Sequence, residues 1–509
     1  MKTPIPILLL AVLIACGGCA SPRWFQKREY LQQLEKEDIW RKKLRIDTDG
    51  FCSLNITWAQ TPDLTLLSNM PLKRLVVMSA RFHDDFRTNL SPLKGMSLSS
   101  LSLFDLGVTN LSPLAGMPLE QLDLGHNRDL IDLSPLQGMQ LKHLNISFTK
   151  VTDLSPLKGM PLKSLDIDGL EIYDLSPLQG MSLTNLALNP NRDADLLLLA
   201  GMPLRSLALE WTSVSNITAL TRLPLQSLNL FRTKVSDLSP LKGMQLTYLN
   251  LYDCENVTNI THLAGMPLKE LILNDTKVKD LTPLKGMPLE KLDIHGTRVV
   301  NLSSLKGMSL TDLRLGRTQV SDIAPLKGMP LTLLWVDDTS VEDISPLHGM
   351  PLKDIDLTST RVIDLEPLRG MPLTALQIGE TDVADLSPLK NMPLRWLYIQ
   401  QTQVTDISPL KGMPLYSLDL HDTKVVDFSP LKGMPLTQLY MPDNDYINLS
   451  PLKKLPLECI HNFPERIKTD TTPLRQNETL KYINGDSPKE FWEKYDAGEF
   501  KKKERKTTP

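Results

Sequence analysis

From about Thr61 to about Pro464 the apolar residues follow one pattern, L-x-x-L-x-L-x-x-T-x-V, as at Leu415, Leu418, Leu420, Thr423 and Val425. Leu418 and Leu420 flank Asp419, the two-residue alternation of a short strand with one buried face. The other half of the unit reads "DISPLKGMP" and is punctuation. Ser408 is a candidate helix N-cap and Pro409 suits the first helical position. Gly412 can take the positive φ that ends a turn, and Pro414 stops any continuation. So little chain between cap and stop leaves room for one helical or 3-10 turn.

The prolines of the Ser-Pro-Leu triplets, with Ala or Glu in place of serine at two of them, mark the register. They fall at Pro92, Pro113, Pro135, Pro156 and Pro177, and later at Pro325, Pro346, Pro367, Pro388, Pro409, Pro430 and Pro451, mostly 21 residues apart and sometimes 22. One such unit cannot bury its own apolar face. Stacked units cover one another and share strand hydrogen bonds, so the period predicts one solenoid where the chain's 509 residues would otherwise suggest several domains.

The strand half resembles the leucine-rich repeat, and "DISPL" resembles the internalin-like class of that family. The resemblance covers roughly four-fifths of the chain. It implies an α/β solenoid, curved and right-handed, with a parallel sheet on the concave face and short 3-10 turns on the convex face. The chain departs from the family at the asparagine ladder, which is mostly threonine: Thr149, Thr212, Thr233, Thr276, Thr297, Thr318, Thr339, Thr360, Thr381, Thr402 and Thr423. Asparagine remains at Asn127, Asn191 and Asn444, and Cys254 takes the slot once. A buried threonine hydroxyl can bond loop backbone, though less fully than an amide, so the ladder reads as structural.

The ends follow other rules. After Lys2, "IPILLLAVLIA" is apolar but too short to span a bilayer comfortably. Leu13-Ile14-Ala15-Cys16 resembles the lipobox of bacterial lipoproteins, which implies a signal over residues 1–15, a lipid on Cys16 and export to the cell envelope. Gly17 in place of aspartate favours the outer membrane by the same resemblance. The alternative is an ordinary secretory signal cut after Ala20. Residues 16–60 then form a lipid-anchored helical stalk over Arg23–Ile46 and an N-terminal cap, with "FCSLNITW" from Phe51 supplying a first strand. The solenoid occupies 61–464. Residues 465–509 hold a cap helix, with a Ser487/Glu490 capping box, Pro488 at its start and Gly498 as its stop, and a basic "KKKERK" tail.

Composition then narrows the function. Five scattered cysteines argue against a disulfide framework or a zinc site. A net charge of −3 gives nucleic acid no reason to bind. No phosphate-binding, hydrolase, zincin or kinase signature occurs, so no catalytic residue, metal site or cofactor is expected. The recurring aspartates Asp322, Asp343, Asp364, Asp385, Asp406 and Asp427 read as turn residues accepting backbone N–H, with a cation ladder as the alternative. What remains is the set of variable strand residues pointing away from the core. Trp335, Asp337, Asp356, Trp396, Tyr398, Asp419 and Tyr440 form one candidate binding face, and Trp211, Phe231, Tyr248 and Tyr252 a second aromatic group. Aromatics ringed by carboxylates suit a protein partner, with a glycan as the alternative and the membrane engaged through the lipid alone.

Overall fold

A computed structural model describes residues 44–46, 52–58, 64–68, 72–79, 87–189, 193–464 and 467–499. By packing, the chain divides into two units, residues 1–246 and 247–509.

In the first unit, nine strands from Cys52–Trp58 to Ser227–Asn229 pair in parallel, each with the next. Leu44–Ile46 adds an antiparallel strand at the start. These three residues were expected to end the stalk helix, and they are extended instead: Arg45 lies opposite Ser53, so the segment covers the edge of the first parallel strand. The rest of the expected stalk, with Cys16, lies outside the described residues. In the second unit, twelve strands from Tyr248–Asn250 to Tyr482–Ile483 pair in parallel in the same way. Most strands are three residues long, and a 3-10 turn follows nearly every one.

One coil shows why these residues build this element. Ile407, Leu410, Met413, Leu415, Leu418, Leu420 and Val425 are all 3% exposed or less. Ser408–Leu410 is the 3-10 turn. Its cap differs from the expectation. Ser408 lies inside the turn, and Asp406 accepts its N–H at 2.8 Å and its hydroxyl at 2.8 Å. The same N–H bond, at 2.8 Å, recurs at Asp322, Asp343, Asp364, Asp385 and Asp427, so the aspartate row is turn chemistry. Gly412 has φ +80°, a conformation that would strain a side chain even with nothing near its Cβ position. Arg222 stands in one glycine slot. There the 3-10 turn lengthens to Thr218–Arg222 and leaves by an extended Leu223.

The threonine ladder is buried, and its bonds are local. Thr339, Thr360, Thr381, Thr402 and Thr423 each donate to the carbonyl three residues earlier, at 2.6–2.7 Å. Asn127 does more. Its Oδ1 accepts from Leu106 and Val108 of the preceding coil, and its Nδ2 donates to Leu103 and Leu124. Cys254 is fully buried, Asn444 is half-buried, and Asn191 lies outside the described residues.

The sheet continues past Pro464 through an irregular coil, and the helix Pro488–Ala497 follows it. Its capping box is formed and Gly498 is left-handed at φ 68°. Phe491 and Trp492 are buried against Phe463, ring centroids 5.5 Å apart in each case. Coils of parallel three-residue strands joined by 3-10 turns around an aliphatic core make each unit a leucine-rich repeat solenoid.

Candidate functional site

Because side chains alternate along a strand, every coil sends two strand residues and the residue just beyond them to the outer face. Register aligns these into columns. In the second unit one column runs Asp293, Arg314, Trp335, Asp356, Gln377, Tyr398, Asp419, Tyr440, His461. A parallel column carries Asp312, Leu333, Asp354, Ala375, Trp396, Ser417, Gln438. All seven predicted residues of the first candidate face therefore lie in this unit. Trp335 shares a column with Tyr398 and Tyr440, while Trp396 stands in the neighbouring one.

Trp335 is held on two sides. The Arg314 guanidinium carbon lies 4.5 Å from the ring centroid, and the indole Nε1 donates to Asp354 at 3.3 Å. Arg314 in turn approaches Asp293 at 3.6 Å. Trp396 is 40% exposed on the same face. Tyr440 stacks on His461 with centroids 4.3 Å apart. Burial, with Tyr398 and Asp419 adding charge nearby, pushes the Tyr440 hydroxyl above its ordinary pKa.

Two carboxylates of the face share one condition. Asp356 and Asp419 each accept one backbone N–H, from Thr358 at 2.9 Å and His421 at 2.8 Å. Burial nevertheless pushes both above the usual carboxylate range, as it does Asp354. Asp337 approaches the His295 ring at 3.7 Å, across a coil whose equivalent residue is Gly316. A Cβ at Gly316 would collide with Asp337 Oδ1, so the glycine is what lets the two side chains come together. The bond to Asp337 raises the His295 pKa.

The second aromatic group divides between the units. Trp211 and Phe231, in the first, make an edge-to-face pair at 5.2 Å. Trp211 sits on the left-handed turn after its strand (φ 57°), with Arg232 at 4.1 Å over its ring. Tyr248 and Tyr252 belong to the second unit, on alternate outward positions of one coil.

Sequence reasoning missed three features. Phe104, His126 and Phe148 form a ring ladder at 4.7 and 4.6 Å in the first unit. Their spacing of 22 residues was a signal in plain view. Asp166, Asp168 and Glu210 crowd the same unit, each pushed up in pKa chiefly by burial. Ser417 and His421 flank Asp419 on its own coil and hold buried polar atoms without a partner. Among the described residues no three histidine, cysteine or acidic side chains group as a metal site.

Neither a family model nor a curated protein matches the chain. Solved structures do. An internalin of Listeria monocytogenes is 24% identical over 71% of this chain and 85% of its own, with a TM-score of 0.33. A leucine-rich repeat protein of Leptospira interrogans is 17% identical over 72% and 94%, with a TM-score of 0.39. The leucine-rich repeat ectodomain of an Arabidopsis thaliana membrane receptor kinase, solved with Casparian strip integrity factor 2, is 15% identical over 89% and 64%, with a TM-score of 0.47. The leucine-rich repeat solenoid of each unit rests on its own three-residue strands and 3-10 turns.

Proposed function

We propose that this is an exported, lipid-anchored protein whose solenoid presents a protein-binding face on the second unit, with no catalytic step of its own. The observation that carries the reading is the face around Trp396. A tryptophan 40% exposed stands among tyrosines and partly buried carboxylates, on a sheet whose other side is closed aliphatic core. Such a surface combines apolar area with polar orientation, the composition of an interface core. The glycan alternative needs free aromatic faces for stacking. Arg314 covers Trp335 and Arg232 covers Trp211, which favours protein. The anchor rests on Leu13–Cys16 alone. No helix among the described residues is long and apolar enough to cross a membrane.

The test joins the two parts. Partners captured from envelope extract by the wild type are retitrated against Trp396→Ala and Phe231→Ala. Trp396→Ala is expected to lose at least about 2 kcal/mol of binding, as a central aromatic does, and Phe231→Ala little. The reverse pattern moves the site to the first unit. Cys16→Ala is expected to free the protein from membranes, and a mature N-terminus at Ser21 without lipid mass would sink the anchor.

A further inference from the structure

Ser417, Asp419 and His421 are alternate residues of one coil, all on the outer face. Each leaves something unmet. Ser417 is 2% exposed, yet its hydroxyl has no hydrogen-bond partner. His421 Nδ1 is buried without a partner, while its Nε2 lies 3.4 Å from Asp422 Oδ2. Asp419 uses one oxygen on the His421 N–H, and no cation pairs with it among the described residues. Its burial keeps its pKa raised, against the lowering pull of the His421 N–H and of the His421 and His461 rings. Asp419 thus has one backbone donor and no cation, between two residues whose buried polar atoms also lack partners.

The neighbours in the column say what would fill the gap. Tyr398 and Tyr440 are the register partners of Asp419 on either side. Further along the same column the chain satisfies a similar arrangement itself, where Arg314 lies between the Asp293 carboxylate and the Trp335 ring, at 3.6 and 4.5 Å. Carboxylate, guanidinium and aromatic ring occupy successive coils there. At Asp419 both adjacent positions are rings, and the column supplies no guanidinium beside the carboxylate.

We propose that Asp419, with the rings of Tyr398 and Tyr440 on either side, is a subsite for an arginine side chain of the partner. The proposal rests on the protein-binding reading above. A planar fork of five N–H groups can serve the Asp419 carboxylate and lie against a tyrosine, which a lysine ammonium cannot do as well. Ser417 and His421 are about 13 Å apart at ~3.3 Å per residue. That separation excludes a serine–histidine relay and suits an extended segment, with its arginine at Asp419 and donors to each side.

The experiment uses the full chain and two immobilised pentapeptide pools with mixed Gly, Ser, Leu and Tyr flanks, one with arginine at the centre and one with citrulline. The wild type is expected to bind the arginine pool at least tenfold more tightly. Asp419→Asn, which keeps the acceptor for His421, is expected to bring the pools within twofold, whereas Glu366→Gln on the turn face leaves the ratio unchanged. If Asp419→Asn lowers the melting temperature, Tyr398→Leu serves instead and is expected to lose at least fivefold of the preference. No arginine preference in the wild type, or a preference that survives Asp419→Asn, overturns the subsite. Equal binding of both pools, lost in Trp396→Ala, overturns it too and leaves the interaction face standing. Removing residues 500–509 tests the chain's own basic segment. A tenfold gain in affinity for the arginine pool would make that segment the occupant and overturn the assignment to a partner.

Discussion

A threonine and an asparagine in the same slot of this repeat do different work. Thr339 donates to the Val336 carbonyl at 2.6 Å, inside its own coil. Asn127 takes two N–H groups of the coil before it, at 3.2 and 2.8 Å. Losing the threonine hydroxyl removes one local bond, at about 1 kcal/mol net. Losing the amide strands two buried donors, each at about 1–3 kcal/mol. Thr339→Val is therefore expected to cost about 1 kcal/mol in urea unfolding and Asn127→Leu at least about 2. Equal costs would show that the slot is filled for shape. The slot itself was legible in the spacing, but the reach of its hydrogen bonds was not, because that depends on which coil the side chain faces.

At the scale of the coil, small residues decide which side chains meet. Gly316 separates His295 from Asp337 along the sheet, and any Cβ there would collide with the Asp337 carboxylate. Its backbone φ is not in the left-handed region, so Gly316→Ala adds no backbone strain and acts through contact alone. The variant is expected to push Asp337 away and bring the His295 pKa down toward the usual histidine value of 6.5, since the bond to Asp337 is its chief support. An NMR titration of the His295 ring reads this directly, and an unchanged pKa would mean that Asp337 is not what raises it. The turn tells a similar story. Serine before proline reads as a cap, yet the 3-10 geometry hands that role to the aspartate two residues before it, whose carboxylate reaches the serine N–H.

Among the carboxylates with a shifted pKa, two groups have opposite pH behaviour. Turn aspartates such as Asp343, Asp385 and Asp427 are held below the usual 3.8 by serine hydroxyl and backbone N–H bonds. Their contribution is present above that value and is lost as pH falls through their lowered folded pKa. Face carboxylates such as Asp166, Asp356 and Asp419 are raised by burial. In that range the folded state binds more protons than the unfolded, so stability grows as pH falls from neutrality through their raised pKa. His295, also raised, acts in the same sense. The melting temperature at constant ionic strength is expected to rise on mild acidification and to fall once the turn aspartates protonate. Asp166→Asn combined with Asp419→Asn is expected to flatten the rise. A steady decline from neutral pH downward would contradict the assignment. A net charge of −3 hides this division, because it counts charges without regard to their neighbours.

The 21-residue period, read with the two-residue alternation around Leu418 and Leu420, was enough to determine the coils, their aliphatic core, the turn aspartates and the outward set containing Trp335, Trp396 and Tyr440. Those features are local and repeated, so each copy states the same rule and neighbours on the chain suffice to read it. The tertiary structure alone decided what each outward residue meets. Arg314 lies over Trp335 from one coil away, Asp337 reaches His295 from two, and Ser417 is closed off with its hydroxyl unmet. Stacking brings side chains 21 residues apart to within about 5 Å, and contact at that range depends on rotamer and reach, which periodicity does not encode.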